Sequence, residues 1–165
     1  MKQRFSRKLP YKEGSVFCFP LRDGGYGRGV VARSGKRGGC LLGYFFGPIL
    51  QSPQEATIDG LSATKSVLCC IFGDLGLMDG TWQVMGQVPN WDRSLWPNPD
   101  FMSRSNGWYS LVHYSDDNPV HETLRMGVEE DDPTLEDDGL YGSGAVEIEV
   151  SRRLRKTESP ELPKA

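Results

Sequence analysis

Two histidines, four cysteines, one serine flanked by glycines and a run of seven carboxylates are the residues of this chain with chemical potential. A nucleophilic hydrolase of the elbow type needs glycines two positions either side of its serine. Gly142-Ser143-Gly144 fails that test, because those positions hold Tyr141 and Ala145. The two glycines read instead as backbone positions entering a last strand. His113 falls on an expected strand with Tyr109 and Leu111 on its face, the setting of a packed imidazole rather than a catalytic base. His121 stands near Asp116, Asp117, Asn118 and Glu122 in an expected loop, and one imidazole among carboxylates is a poor zinc site. Cys18, Cys40, Cys69 and Cys70 have no C-x-x-C spacing, which fits reduced thiols in a cytosol. Adjacent Cys69 and Cys70 would face opposite sides of a strand, while Cys18 and Cys40 are candidates for neighbouring strands.

The glycine-rich stretch from Asp23 to Gly29 lacks the lysine and hydroxyl of a P-loop and the spacing of a dinucleotide loop. Its Asp-Gly pair is a hairpin signal. The acidic run holds Glu129, Glu130, Asp131, Asp132, Glu136, Asp137 and Asp138, and it does not match a calcium loop. It reads either as a solvated loop or as an anionic surface that meets a cationic patch on a protein partner. Trp91 and Trp96, beside Pro97 and Pro99, form either a rigid turn against the core or anchors of the same interface. No catalytic, metal-binding or cofactor-binding residue emerges, so the expectation is a protein without enzymatic activity and without cofactors.

The elements that must carry these residues are short. With 20 glycines and 11 prolines in 165 residues, tight turns are frequent and strands are favoured over long helices. Both faces of Val16–Pro20 are apolar, so that strand is expected to be covered on both sides. Tyr26–Arg33 and Cys40–Phe46 complete a meander that Gly47-Pro48 is expected to stop. Further strands are expected at Ser66–Phe72, Thr81–Gln87, Trp108–Tyr114 and Gly144–Val150. Ser52, Pro53 and Glu55 form a helix-start pattern, which predicts one short helix over roughly 53–61. The fold class expected is all-β: a single compact domain with a strongly bent antiparallel sheet or partly open small barrel, and one short helix. Residues 1–9 read as a basic arm, 10–151 as the domain, and 152–165 as a flexible tail.

The formal net charge of −3 does not argue for nucleic acid. The first residues lack the apolar stretch of a secretory signal, and the run from Leu41 to Phe46 is too short to cross a bilayer. A soluble cytoplasmic protein without membrane contact is expected.

Several segments, in order, resemble the immunity protein 26 family of bacterial polymorphic toxin systems. They are Gly14 to Val31, Trp82 to Gly86, Asp92-Arg93 with Trp96-Pro97-Asn98-Pro99 and Phe101, and Gly139 to Glu149. The resemblance implies an all-β domain that protects its producing cell by binding a cognate toxin domain. It carries no catalytic residues and no toxin chemistry. The competing reading is an SH3-like small barrel that binds nucleic acid or a peptide, motivated by the opening hairpin and its basic flanks.

Overall fold

A computed structural model describes residues 8–158 of the chain. The elements run β1 (Ser15–Pro20), β2 (Tyr26–Ser34), β3 (Cys40–Leu50), β4 (Leu68–Gly73), α1 (Leu75–Asp79), β5 (Gln83–Gln87), β6 (Phe101–Ser105), β7 (Trp108–Ser115), β8 (Asn118–Val128), β9 (Leu140–Tyr141) and α2 (Ser143–Glu158). They build one six-stranded sheet in the order β5-β1-β2-β3-β4-β9 and one three-stranded sheet in the order β6-β7-β8. All pairings are antiparallel except β4 with β9. The protein is mainly β, as the composition implies, but among the described residues the sheets do not close into a barrel.

The expected meander is present, and both of its faces are buried. On one face Phe17, Phe19, Val31, Leu41, Phe45 and Phe72 gather around Trp82 and are covered by Val146, Val150 and Leu154 of α2. On the other, Val16, Val30, Ala32, Leu42, Tyr44 and Phe46 pack with Trp96 and Phe101. Period-two alternation in the central strands thus feeds two cores, with α2 on one side of the large sheet and the small sheet on the other.

Glycines in β2 make the first core possible. Gly29 lies opposite Phe17 and Gly27 opposite Phe19. A Cβ on Gly29 would come within 2.2 Å of the Phe17 ring, and one on Gly27 within 2.8 Å of the Phe19 ring. The rings lie flat over the bare backbone. Phe17 is then free to stack on Trp82 at 5.4 Å with 10° between planes.

Several expectations are corrected. The last strand, Gly144–Val150, is instead part of the 16-residue helix α2, so the class is mainly β with a substantial helix rather than all-β. Its buried residues Val146, Val150 and Leu154 recur every four positions, and Glu149 reaches Arg153 one turn on at 2.8 Å. The tail expected from residue 152 is therefore helical as far as Glu158, and residues 159–165 lie outside the described residues. The helix expected over 53–61 is a three-residue 3-10 turn, Pro53–Glu55, without a buried residue; Ser52 makes no side-chain cap. Ile58 and Leu61 pack against the second core from an irregular stretch, and Gly60 adopts a left-handed φ of 74°, so the helix is not continued.

Gly47-Pro48 does not stop β3. Register jumps there, with Phe46 opposite Arg28 and Leu50 opposite Tyr26, so Pro48 sits in an irregular stretch where no ladder donor is required. Strands β6, β8 and β9 were not expected at all. Of the expected basic arm, residues 1–7 fall outside the described residues. Leu9 and Tyr11 pack against the core, and the Tyr11 hydroxyl donates to Asp74 at 2.7 Å.

Candidate partner-binding surface

The acidic run leaves β8 and turns back along the free edge of β6. The Met102 amide donates to the Glu136 carbonyl at 2.9 Å, and the Asp138 amide donates to the Met102 carbonyl at 2.8 Å. Two guanidinium groups then hold the segment down. Arg104 reaches it from β6: Nε donates to Asp131 Oδ1 at 2.8 Å, Nη1 donates to Asp137, and Nη2 donates to the carbonyls of Asp132 and Leu135 at 2.9 and 3.0 Å. Arg153 reaches it from α2, with a two-pronged pair to Glu136 at 2.5 and 2.8 Å. The same group donates to the Val67 carbonyl at 2.8 Å and to Glu149 at 2.8 Å. One arginine thereby ties the acidic segment, the start of β4 and α2 together.

The remaining carboxylates divide into bound and free. Asp138 accepts from the Tyr114 hydroxyl at 2.5 Å and lies 3.5 Å from Arg125. Burial, and then the bond to Asp138, holds the Tyr114 phenol well above its usual range. Asp132 caps a local turn by accepting from the Thr134 hydroxyl and amide, which keeps its carboxyl below the ordinary carboxylate range. Glu129 and Glu130 are exposed and make no ion pair among the described residues. Of the seven acids, five shape the segment and two face solvent uncommitted.

Trp91 and Trp96 belong to the second core. Trp96 is buried, edge-on to Tyr44 at 5.4 Å and to Phe46 at 6.0 Å. Trp91 is half-buried and stacks on Trp96 at 5.7 Å. Their turn is fastened by polar contacts. Tyr44 donates to the Pro97 carbonyl, and the buried Arg33 donates to the Trp96 carbonyl at 2.9 Å while pairing with Asp116 at 2.8 Å. The Asn98 amide donates to the Tyr114 carbonyl at 2.8 Å. This turn therefore bolts the small sheet to the large one. Trp96 presents no surface to a partner, and Trp91 presents only part of its ring.

The other candidates for chemistry stay apart. His113 Nδ1 is 2.8 Å from Asp100 Oδ1 on the outer face of the small sheet, and His121 is an exposed residue of β8 rather than of a loop. Ser143 begins α2 and accepts from the Gly76 amide at 3.3 Å. All four cysteines are free. Cys69 and Cys70 do face opposite sides of β4, whereas Cys18 and Cys40 are separated by β2. Burial pushes the thiols of Cys18 and Cys70 up, which keeps them protonated and unreactive at neutral pH. No cluster of three or more histidine, cysteine or carboxylate groups able to hold a metal occurs among the described residues. None of their helices is long and apolar enough to cross a membrane.

Sequence reasoning missed an exposed apolar strip on the outer face of β7 and β8. Leu124 and Met126 stand opposite His113 and Leu111, and Val128 stands opposite Tyr109, on one face of the small sheet. Leu124 is 50% and Met126 48% exposed. The signal was present as period-two alternation, with Leu124, Met126 and Val128 between Thr123, Arg125 and Gly127.

A mainly-β scaffold whose polar networks fasten its own layers, and which exposes an apolar sheet face beside free carboxylates, has the build of a protein-binding domain. A model of the family described as Immunity protein 26 matches residues 12–109, more than half of the chain. The chain belongs to the Immunity protein 26 family. No curated protein and no solved structure matches it. The match covers β1 through the start of β7, and therefore the meander, both cores' central residues and the tryptophan turn.

Proposed function

We propose that this chain is the immunity protein of a bacterial polymorphic toxin system. In the cytoplasm of the producing cell it binds a cognate toxin domain and neutralises it by non-covalent occlusion. The observation that carries this reading is the family match over residues 12–109. Immunity by occlusion needs a stable scaffold and a complementary surface, and it needs no catalytic group on the inhibitor. Of the residues expected to meet the partner, Glu129 and Glu130 are the acids free to do so directly. Asp131, Asp132, Glu136, Asp137 and Asp138 contribute by fixing the segment that presents them, and Trp91 and Trp96 by holding the small sheet in place.

A complex of this kind buries on the order of 1,600 Å² in total. Fixed anionic groups at its rim speed encounter with a cationic partner more than they deepen final affinity. The test is a calorimetric titration against the C-terminal toxin domain encoded immediately upstream, paired with a growth assay in cells that express that toxin. One-to-one binding with rescue of growth is the expected result. Neither binding nor rescue, with both proteins folded, removes the reading.

A further inference from the structure

Strand β8 is the outer strand of the three-stranded sheet, and its second edge pairs with no strand among the described residues. From Val120 to Gly127 every residue is exposed, including those on both faces of the strand. Proteins ordinarily protect such an edge with lysines, a proline, a bulge or a covering loop, because its unpaired N–H and C=O groups template another strand. Bulges opposite Tyr114 interrupt β8 before Leu124, but from Leu124 to Val128 it pairs in regular register with β7, and there the protection is thin. Pro119 lies at the buried start of β8, and no lysine occurs between residues 118 and 128. The two charged residues that follow on the strand, Glu122 and Arg125, pair with each other at 2.6 Å. Val120, Leu124 and Met126 stand 54%, 50% and 48% exposed along it.

Charge decides what fits this edge. Asp116 and Asp117 precede β8 but pair with Arg33 at 2.8 Å and Arg93 at 3.6 Å, whereas Glu129 and Glu130 follow it without an ion pair among the described residues, so the uncommitted negative charge lies at the C-terminal end of the open strand. A second copy of this chain offers no charge complementarity in either direction. Parallel pairing sets Glu129 and Glu130 beside their twins, and antiparallel pairing sets them beside the copy's ion-paired Asp116 and Asp117, which bring no free positive charge. Like charges facing across a strand pair are destabilising. A strand with cationic residues placed beside Glu129 and Glu130 meets the same edge with attraction.

We propose that β8 is the element that receives the toxin. An extended strand of the toxin domain, flanked by lysine or arginine, adds to the free edge of β8 and enlarges the small sheet by one strand. This inference rests on the immunity reading. Main-chain hydrogen bonds supply the affinity in such strand addition, and pockets between alternate side chains supply the specificity. Leu124 and Met126 are the side chains placed to contact alternate residues of the incoming strand.

The experiment is hydrogen–deuterium exchange on the full chain, alone and with a catalytically inactivated form of the toxin domain encoded beside it, together with a titration of the double variant L124K/M126K. Both substituted side chains are exposed, so an unchanged melting temperature is expected of the variant. The proposal predicts that amides within 120–128 slow in the complex, and that L124K/M126K binds at least about tenfold more weakly. Binding by the unaltered chain with unchanged exchange over 120–128 overturns the proposal and leaves the immunity reading standing. No binding by the unaltered chain overturns both. Protection of 120–128 in the chain alone, growing with its concentration, overturns it in favour of a second copy.

Discussion

Truncating Leu154 to alanine tests the helical C-terminal layer, where sequence pattern and structure part company. Leu154 is 5% exposed and belongs to the cluster that includes Phe45, Phe72, Val146 and Val150. It packs so closely on β3 that a Cβ on Gly47 would lie 2.6 Å from its Cδ2. Removing a leucine side chain from such a site forfeits its transfer free energy and leaves a void, for a cost of about 3 kcal/mol. In a domain of this size that corresponds to a melting temperature lowered by about 6–12 °C. Equilibrium urea unfolding followed by tryptophan fluorescence reads the change as a shifted midpoint at constant slope. Ile148→Ala is the internal control, because that side chain is 48% exposed and its loss is expected to cost less than about 0.5 kcal/mol. A strand would put Ile148 on the same face as Val146 and Val150, and would leave Leu154 beyond its end. Equal losses for the two variants, or no loss for Leu154→Ala, would refute the helical packing.

Gly29→Ala is expected to destabilise the fold by about 2 kcal/mol or more, since its Cβ meets the fully buried Phe17 ring; a melting curve checks it. Arg104→Ala leaves Asp131 and Asp137 unpaired, so amides over 131–137 are expected to exchange faster while the global melting temperature changes less than in Gly29→Ala. Hydrogen bonds from Arg152, and then from Arg153, lower the Glu149 carboxyl from its ordinary 4.5 to about 2. Its folded value lies below its unfolded one, so its contribution is present above about pH 4.5 and is lost as pH falls toward 2. Glu149→Gln is therefore expected to flatten the stability profile in that window, measured by urea unfolding across pH. Neutralising Glu129 and Glu130 together is expected to slow association with the toxin domain at low salt while leaving the melting temperature unchanged, as stopped-flow mixing and calorimetry would show.

The central meander was legible because Val16–Pro20 is apolar on both faces and each turn carries glycine, so local pattern and tertiary environment agree. Cys69 and Cys70 fell on opposite faces for the same reason. Helix α2 was not legible from Gly144 to Val150 alone, where Val146, Ile148 and Val150 alternate with Glu147 and Glu149 as a strand would. The deciding residues lie further on: Leu154 continues the four-residue spacing, and Arg153 completes the turn from Glu149. Strand β8 was hidden by its polarity and by the acids at both ends, since a strand that buries little surface is defined by its partner rather than by its own composition.

The acidic run reads as one unit in the sequence, and the structure divides it. Nothing in its sequence distinguishes Glu129 and Glu130, which face solvent, from Asp131, Asp137 and Glu136, which hold Arg104 and Arg153 from β6 and α2. That distinction depends on arginines 17 to 33 positions away. The tryptophan turn behaves likewise. Trp91 and Trp96 were candidates for either core or interface, and the contacts of Tyr44, Arg33 and Asn98 assign the turn to the joint between the two sheets.

The most direct test of the proposed function is calorimetric titration of this chain with the toxin domain proposed as its cognate, sought among the products of adjacent genes, joined to a growth assay with and without the chain. Tight one-to-one binding that restores growth is the predicted result. A folded toxin domain that kills equally well in the presence of the chain, with no heat of binding, would contradict the account.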